Sequence, residues 1–557
     1  MRKYITICIG ALILFTGSPS CTDEALDIEN VNNLALSSFY KTPDDALYAT
    51  NACYTPLAHS GLFGCRWFFL FNSFEDRILF ETEGMDNISI SSSNEFVTWM
   101  HRDLYMGLWR TSHVLRNLLD RDIPGLKEAD REQYMAQIRA LRGMYYFLLV
   151  TIYDRPIFYD ETSLPEDAYK AYSNGERIRF WNKLREDLEY AMDILPSQYP
   201  DPEVGRITSG AARALLGKAM LYKHYYYHIR MGKEGDPDDI ADLELAATML
   251  KKVMESPVHE LIQPKTDTSR LDYINAVLCN TSYMPLPASD GTTYPSENNA
   301  ESIWEVQYDD QRTNDGWLPG WQWSGNMNFQ WFYHHENSFR NHEAHPDMYY
   351  VFEDVSGHPA GFSKDPRTYA SLYMDGDRLH FLPEEEYYSK FYTTGINNKR
   401  VAEKRGLNYP DQPSQGFGLK KYAYPTYNDL DAPNNAPFNH RIIRLADVML
   451  LYAETMFLLG DDGSGLSALN RVRERVDMPP VDDLTTDAII HERDVELTFE
   501  GHRYIDLIRW SFDPQWQIDW NEIYDGDVFE VGKNEFLPIP LTEINVNRGK
   551  LKQNPGW

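Results

Sequence analysis

Arg131–Tyr153 reads REQYMAQIRALRGMYYFLLVTIY. Along it Tyr134, Ile138, Leu141, Tyr145, Leu148 and Ile152 recur at spacings of four, three, four, three and four, which places them on one stripe of a helix. A second stripe of small residues, Ala136, Ala140 and Gly143, lets a neighbouring helix approach closely. Large side chains on one face and small ones on another are what stacked helical hairpins of the tetratricopeptide type require.

The same logic recurs on either side. Trp181, Leu184, Leu188, Ala191 and Leu195 make a stripe ended by Pro196; Ala211, Leu215, Ala219 and Tyr222 make the next, and Leu243, Ala246, Leu250 and Val253 another. No strict period of about 34 residues is visible, so the scaffold is a degenerate helical repeat. The pattern breaks at Pro257. From there to Asn439 the chain is rich in Pro, Gly, Asn and Tyr, with one strand-like alternation, Ile303, Glu305 and Gln307 opposite Trp304, Val306 and Tyr308. Helical periodicity returns after Arg441, where Leu445, Val448, Tyr452 and Leu459 form a stripe beside Ala446 and Ala453, and a further helix is predicted over 486–501. The expected fold is mainly α: a superhelix of tetratricopeptide-like hairpins with a large irregular insertion containing short strands. Its parts are a scaffold over 37–256 and 440–557 and an insertion over 257–439. Near the start, Thr42-Pro43-Asp44-Asp45 carries a capping hydroxyl, a first-position Pro and acids suited to a helix N-terminus, predicting a helix to Leu57. The next forty or so residues, aromatic and charged, predict a long loop over the core.

The chain has 557 residues and a formal net charge of −31, which argues against nucleic acid or an anionic membrane surface as its partner. Arg2 and Lys3 precede the weakly polar to apolar run from Ile5 to Phe15, then small residues, then Cys21. A basic start, a short apolar core and a small-residue zone describe an export signal over 1–20, followed by a polar leader over 21–36. Cys21 directly after that zone points to a lipoprotein signal, with the thiol acylated; ordinary secretion is the alternative. No other apolar run reaches the roughly 18 residues of a spanning helix, so membrane attachment would be through the lipid alone. Cys53, Cys65 and Cys279 remain, with no metal-type spacing; Cys53 and Cys65 could close a disulfide or stay buried thiols.

In order along the chain, the blocks Ala140-Leu141-Arg142-Gly143-Met144-Tyr145-Tyr146-Phe147, Glu186-Asp187-Leu188 through Leu195-Pro196, Gly205-Arg206-Ile207-Thr208 and Glu301-Ser302-Ile303-Trp304-Glu305-Val306 resemble the SusD/RagB family of outer-membrane nutrient-binding lipoproteins. So do Ile443-Arg444-Leu445-Ala446-Asp447 through Glu454, Glu492-Arg493-Asp494-Val495-Glu496-Leu497 with Phe499-Glu500-Gly501-His502-Arg503, and the tail Gln553-Asn554-Pro555-Gly556-Trp557. The resemblance implies a lipid-anchored protein facing the exterior of the outer membrane, which captures oligosaccharide and delivers it to a SusC-like TonB-dependent transporter. It carries site residues over by region only: the early loop and the central insertion.

The residues themselves offer several chemistries. Glu492, Glu496 and Glu500 lie four apart on one helical face, with Arg493 and Arg503 close enough in sequence to neutralise them, which predicts an ion-pair network rather than catalytic carboxylates. His334, His335, His342 and His345 lack metalloprotease spacing, and Asp375-Gly376-Asp377 and Asp461-Asp462-Gly463 predict plain turns rather than calcium loops. No phosphate loop, nucleophile elbow or dinucleotide fingerprint is present, so neither a cofactor nor catalysis is expected. The unusual stretch is Trp317–Tyr333, where seven of seventeen residues are aromatic against 14% for the chain. A sugar ring presents an apolar C–H face and a rim of hydroxyls. Trp317, Trp321, Trp323 and Trp331 supply flat platforms, Asn326 and Asn328 edge partners, and the early loop adds Arg66, Trp67 and Asp76. The rival expectations are a helical-repeat module for peptide or protein cargo, in which those rings pack inward, and a surface glycosidase.

Overall fold

The computed structural model describes residues 39–80, 88, 90–163, 171–282, 285–308, 342–372, 417–422, 439–524 and 529–557. Cys21 and the whole Trp317–Tyr333 stretch lie outside the described residues, as do His334, His335 and the Asp375–Asp377 turn.

Helix α1 is Pro43–Ala52, closed at its start by the expected Thr42 hydroxyl, whose Oγ1 accepts from the Asp45 amide; the cap is also reciprocal, since Asp45 accepts from Thr42 N. The chain then departs from the expected loop. Arg66–Ser73 forms helix α2, with Phe68, Phe69, Leu70 and Phe71 all buried, followed by strand β1, Ile78–Phe80. A helix apolar on nearly every side shows no stripe in the sequence, because every side meets protein.

The scaffold follows as α3 (Glu95–Asp120), α4 (Glu128–Tyr153), α5 (Arg177–Ile194), α6 (Ser209–Lys223) and α7 (Pro237–Met254), each packed on the next. The insertion contributes α8 (Arg270–Leu278), the hairpin of β2 (Leu286–Pro287) and β3 (Thr293–Tyr294), β4 (Ser302–Val306), β5 (His342–Ala344) and α9 (Pro366–Ser371). The chain returns through β6 (His440–Arg444) to α10 (Leu445–Leu458), α11 (Asp462–Glu474), α12 (Thr486–Glu496) and α13 (Arg503–Ser511). Helix α10 packs directly on α7 and α11, so the superhelix continues across the insertion as though it were absent. Asp461 caps α11 through Ser464 N rather than making a plain turn, and α12 stops at Glu496, with Phe499 and Gly501 at positive φ.

Close packing in this array depends on glycine. A Cβ on Gly107 of α3 would fall 2.2 Å from the Tyr145 ring of α4; on Gly143 of α4, 2.9 Å from Leu188 of α5; on Gly217 of α6, 2.7 Å from Leu250 of α7. The small stripe read around Gly143 therefore serves the purpose its composition indicates. Arg142, fully buried beside it, donates from Nε and Nη2 to the two carboxylate oxygens of Asp187 at 2.7 and 2.8 Å and locks α4 to α5.

Strand β4 pairs antiparallel with β6, and β1 with β5 in the register Ile78↔Ala344 to Phe80↔His342. The strand-like alternation over 303–308 corresponds to β4, in which Ile303, Trp304, Glu305 and Val306 are all buried, since the strand is covered on both sides. One large apolar cluster runs from the helices into Ile303, Trp304 and Ile443, while the insertion has a small core of its own around Tyr273, Val277, Leu278, Tyr294 and Phe362. Cys53, Cys65 and Cys279 are buried free thiols. Among the described residues no helix is long and apolar enough to cross a membrane.

Candidate functional site

Tyr308 and His342, the described residues on either side of the aromatic stretch, are both held against the same early part of the chain. Tyr308 N donates to Asn439 Oδ1 at 2.9 Å and Tyr308 Oη to the Ala58 carbonyl at 3.4 Å. Buried His342 hydrogen-bonds Ser73 Oγ at 2.8 Å, and β5 lies on β1. Between Ala58 and Ser73 runs α2, so the insertion brackets this helix. Phe63 stacks on His440 with centroids 4.5 Å apart, and Phe68 packs on both His440 and Tyr422. The early segment and the insertion thus form one body although their sequences are hundreds of residues apart.

Asn439 is the pivot of this join. Its side-chain amide donates to Glu305 at 2.9 Å and its backbone N–H to Glu297 at 2.5 Å, while Arg441 grips Glu305 through two nitrogens. Burial, reinforced by the Glu305 carboxylate and opposed by the Asn439 amide, pushes Glu297 up to about 8.

The predicted early-loop residues prove to be built into this join. Arg66 is 4% exposed, with its guanidinium 4.0 Å from the Phe96 ring centroid and 4.9 Å from that of Trp99. Trp67 is half-buried between Phe63 and Phe71, and an added Cβ on Gly501 would meet its Nε1 at 3.1 Å. Asp76 accepts from Nε and Nη2 of Arg503, one edge of its guanidinium, and is 3.4 Å from Arg77. Burial raises the Asp76 carboxyl, and the two arginines outweigh it, leaving it below its usual range. In this structure Arg66 and Asp76 are occupied by packing and ion pairing.

Beneath the join lies a buried charge network. Glu496 is met by Arg444 at 2.7 Å, by Arg367 at 3.1 Å and by Arg475; Glu500 by Arg444 and Lys421 at 2.8 Å each; Glu492 by Arg473 at 2.9 Å and by Arg367. The helical carboxylates do form a network, but with different partners from those expected: Arg493 pairs with Asp447 and Asp506, and Arg503 with Asp76 and Asp494. Each of Glu492, Glu496 and Glu500 is held between cations and away from solvent, which leaves none of them poised as an acid or base. Of the histidine set, His342 is tied to Ser73 and His345 faces Asp347; among the described residues no cluster has metal-ligating geometry.

What the sequence did not signal is a pair of chambers at the seam where the Ser197–Thr208 segment crosses β4. Gly205, at φ +97°, lets its carbonyl accept from Trp304 Nε1 at 3.2 Å, and a Cβ there would fall 2.2 Å from Gln307. On one side of this contact is a mostly apolar cavity of about 320 Å³, walled by Tyr54, Leu57, Val204 and Val306; on the other is a polar one of about 530 Å³, walled by Tyr199, Asp201, His259 and Asn298. The Gly205-Arg206 dipeptide and Trp304 stand in blocks noted above, yet nothing local announces that they meet.

Comparison with known proteins agrees with the architecture. The model of the SusD family matches residues 300–557, and a second, described as "Starch-binding associating with outer membrane", matches 74–221. A SusD-like protein of Bacteroides ovatus is 26% identical over 540 residues, covering 92% of this chain and 83% of the relative. SusD-like protein P25 of Formosa agariphila is 22% identical over 566 residues, covering 95% and 94%. Surface glycan-binding protein A of Bacteroides thetaiotaomicron, solved in complex with laminarihexaose, shares the fold at a TM-score of 0.66 and 20% identity, over 92% of this chain and 99% of that one. Two family models across scaffold and insertion, relatives aligned along nearly the full length and a common fold together place the chain in the SusD/RagB family.

Proposed function

We propose that this protein is a non-catalytic, lipid-anchored oligosaccharide-binding protein of the outer membrane that faces the exterior, attached through Cys21. It passes its ligand to a SusC-like TonB-dependent transporter. The observation that carries the binding role is the bracketing of α2 by Tyr308 and His342. The stretch of sequence between these two residues carries Trp317, Trp321, Trp323, Trp331, Asn326 and Asn328, and the early segment to which both are tied contains Trp67. A flat ring stacked on the C–H face of a sugar excludes water from both, while amides at the rim hold hydroxyls in direction, so orientation comes from polar groups and affinity from apolar contact. The glycan recorded with a fold relative supports this reading, as does the commitment of the helical carboxylates to ion pairs.

Calorimetry of the mature protein against a broad panel of oligosaccharides tests it. Saturable binding of at least one glycan is expected, weakened roughly five- to 150-fold by Trp321→Ala or Trp331→Ala, equivalent to about 1–3 kcal/mol of lost ring burial. Absence of binding across the panel, or capture of peptide with the aromatic segment dispensable, would overturn the reading in favour of a peptide-binding helical repeat; release of reducing sugar would favour a glycosidase.

A further inference from the structure

We propose that Glu75 is a proton-held latch between the early segment and helices α12 and α13: it is closed in as an uncharged carboxylic acid, and opening of the segment releases its proton. Glu75 stands between α2 and β1 and is 3% exposed. Both of its carboxyl oxygens are buried, and neither accepts a hydrogen bond. A carboxylate taken out of water needs donors or a cation; without either it takes up a proton instead.

The cations beside it are already engaged. Arg77 donates to Asp494 Oδ2 from Nε at 3.1 Å and from Nη2 at 2.9 Å, and its Nη1 lies 3.4 Å from Asp76. Arg503 of α13 donates from Nε and Nη2 to the two oxygens of Asp76, and its Nη1 is 3.0 Å from Asp494 of α12. Two guanidiniums thus balance two carboxylates, and Glu75 is a third acid with no ion-pair partner among the described residues. Asp494 Oδ1 is also buried without a donor, so a carboxylic O–H is what this set of groups lacks. Burial, reinforced by Asp76 and Asp494 and opposed by Arg503 and Arg77, holds the Glu75 carboxyl well above the usual carboxylate range. The Tyr524 phenol, which donates to the Phe74 carbonyl, also faces this set, and burial keeps it protonated. In water a glutamate loses its proton at about pH 4.3. Opening the early segment lets Glu75 ionise, so the latch is tightest below that pH. Above it, each pH unit favours the open form about tenfold, up to the pH at which Glu75 ionises in the closed fold.

The test compares the mature protein with Glu75→Gln, which keeps the shape and cannot ionise; Glu75→Met, of similar length and without the polar atoms, serves as a second neutral variant. An infrared difference spectrum at pH 7 should show a protonated-carboxyl band in the wild type that the variants lack. Native-state hydrogen exchange between pH 5 and 8, corrected for the intrinsic rate of each amide, reads the latch itself. Protection of the α2 and β1 amides should fall with pH about tenfold per unit more steeply in the wild type than in either variant. That difference should appear in openings that require less free energy than global unfolding. Absence of the band, or parallel pH courses in wild type and variants, overturns the proposal, since Glu75 would then be ionised in the closed fold. Exchange of α2 and β1 through global unfolding alone overturns it too, because the segment would have no opening of its own for the proton to control.

Discussion

Replacing Glu496 by Gln removes one charge from the centre of the buried network. Five carboxylates, Glu301, Asp365, Glu492, Glu496 and Glu500, there face five cations, Arg367, Lys421, Arg444, Arg473 and Arg475, all of them buried. Burial alone would raise the Glu496 carboxyl; Arg475, Arg444 and Arg367 override it and hold it well below the usual carboxylate range. A glutamine keeps the shape but leaves an unbalanced positive charge where water cannot reach it. Breaking a buried pair in this way costs about 3–5 kcal/mol. Against a typical domain stability of about 5–15 kcal/mol, that is a large fraction. Urea unfolding followed by tryptophan fluorescence should show the midpoint falling by that equivalent at an unchanged m-value. Because Glu301, Arg367 and Lys421 belong to the insertion and Arg444, Arg475 and Glu496 to the scaffold, amide exchange in β4 and β6 should accelerate as well. The double variant Glu496→Gln with Arg475→Met restores charge balance and should lose less than the sum of the single losses. A cost below about 1 kcal/mol for Glu496→Gln would refute the reasoning, for it would mean that the remaining carboxylates or entering water already compensate the cations.

Two further outcomes follow from the packing. Burial depresses His440, stacked on Phe63, and His101 to about 3 each, so both are neutral in the folded state while the unfolded chain protonates them near 6.5. Their contribution to stability is complete above about pH 6.5 and declines as pH falls toward 3, at about 1.4 kcal/mol per unit for each imidazole; His440→Phe should remove about 2 kcal/mol of the loss between pH 6.5 and 5, and an unchanged slope in urea melts would contradict this. Gly107→Ala should destabilise by about 1–3 kcal/mol in thermal melts, because the new methyl meets the fully buried Tyr145 ring, itself anchored through its hydroxyl to the Cys53 carbonyl; a neutral effect would mean that α3 and α4 can separate at no cost.

The helical scaffold was legible because helix periodicity is a local property. The stripe from Tyr134 to Ile152 and the glycine at 143 state, within one turn of each other, which faces are large and which are small. The cap at Thr42 was legible for the same reason, since Asp45 is only three residues away. Helix α2 was not: its Phe68, Phe69, Leu70 and Phe71 are buried all round, and a helix with no wet face has no period to read. Strand β4 was legible as a strand from its alternation, but the burial of Glu305 was not, because its partners Arg441 and Asn439 are more than 130 residues away.

The candidate site divides along the same line. Sequence alone determined that the chain is a helical repeat interrupted by an aromatic, irregular insertion, and that Glu492, Glu496 and Glu500 share a face; these follow from spacing within a helix, where geometry is fixed by neighbours. Only the tertiary structure decided that Arg66 and Asp76 are consumed by packing and ion pairs and that Arg444, Arg475 and Arg367, not Arg493 and Arg503, neutralise the glutamates. The same holds for the meeting of Ser197–Thr208 with β4 around a pair of chambers. The physical reason is the direct packing of α7 on α10 across the insertion. That contact brings together loops whose separation along the chain carries no information about their distance, and charges and hydroxyls choose partners by distance.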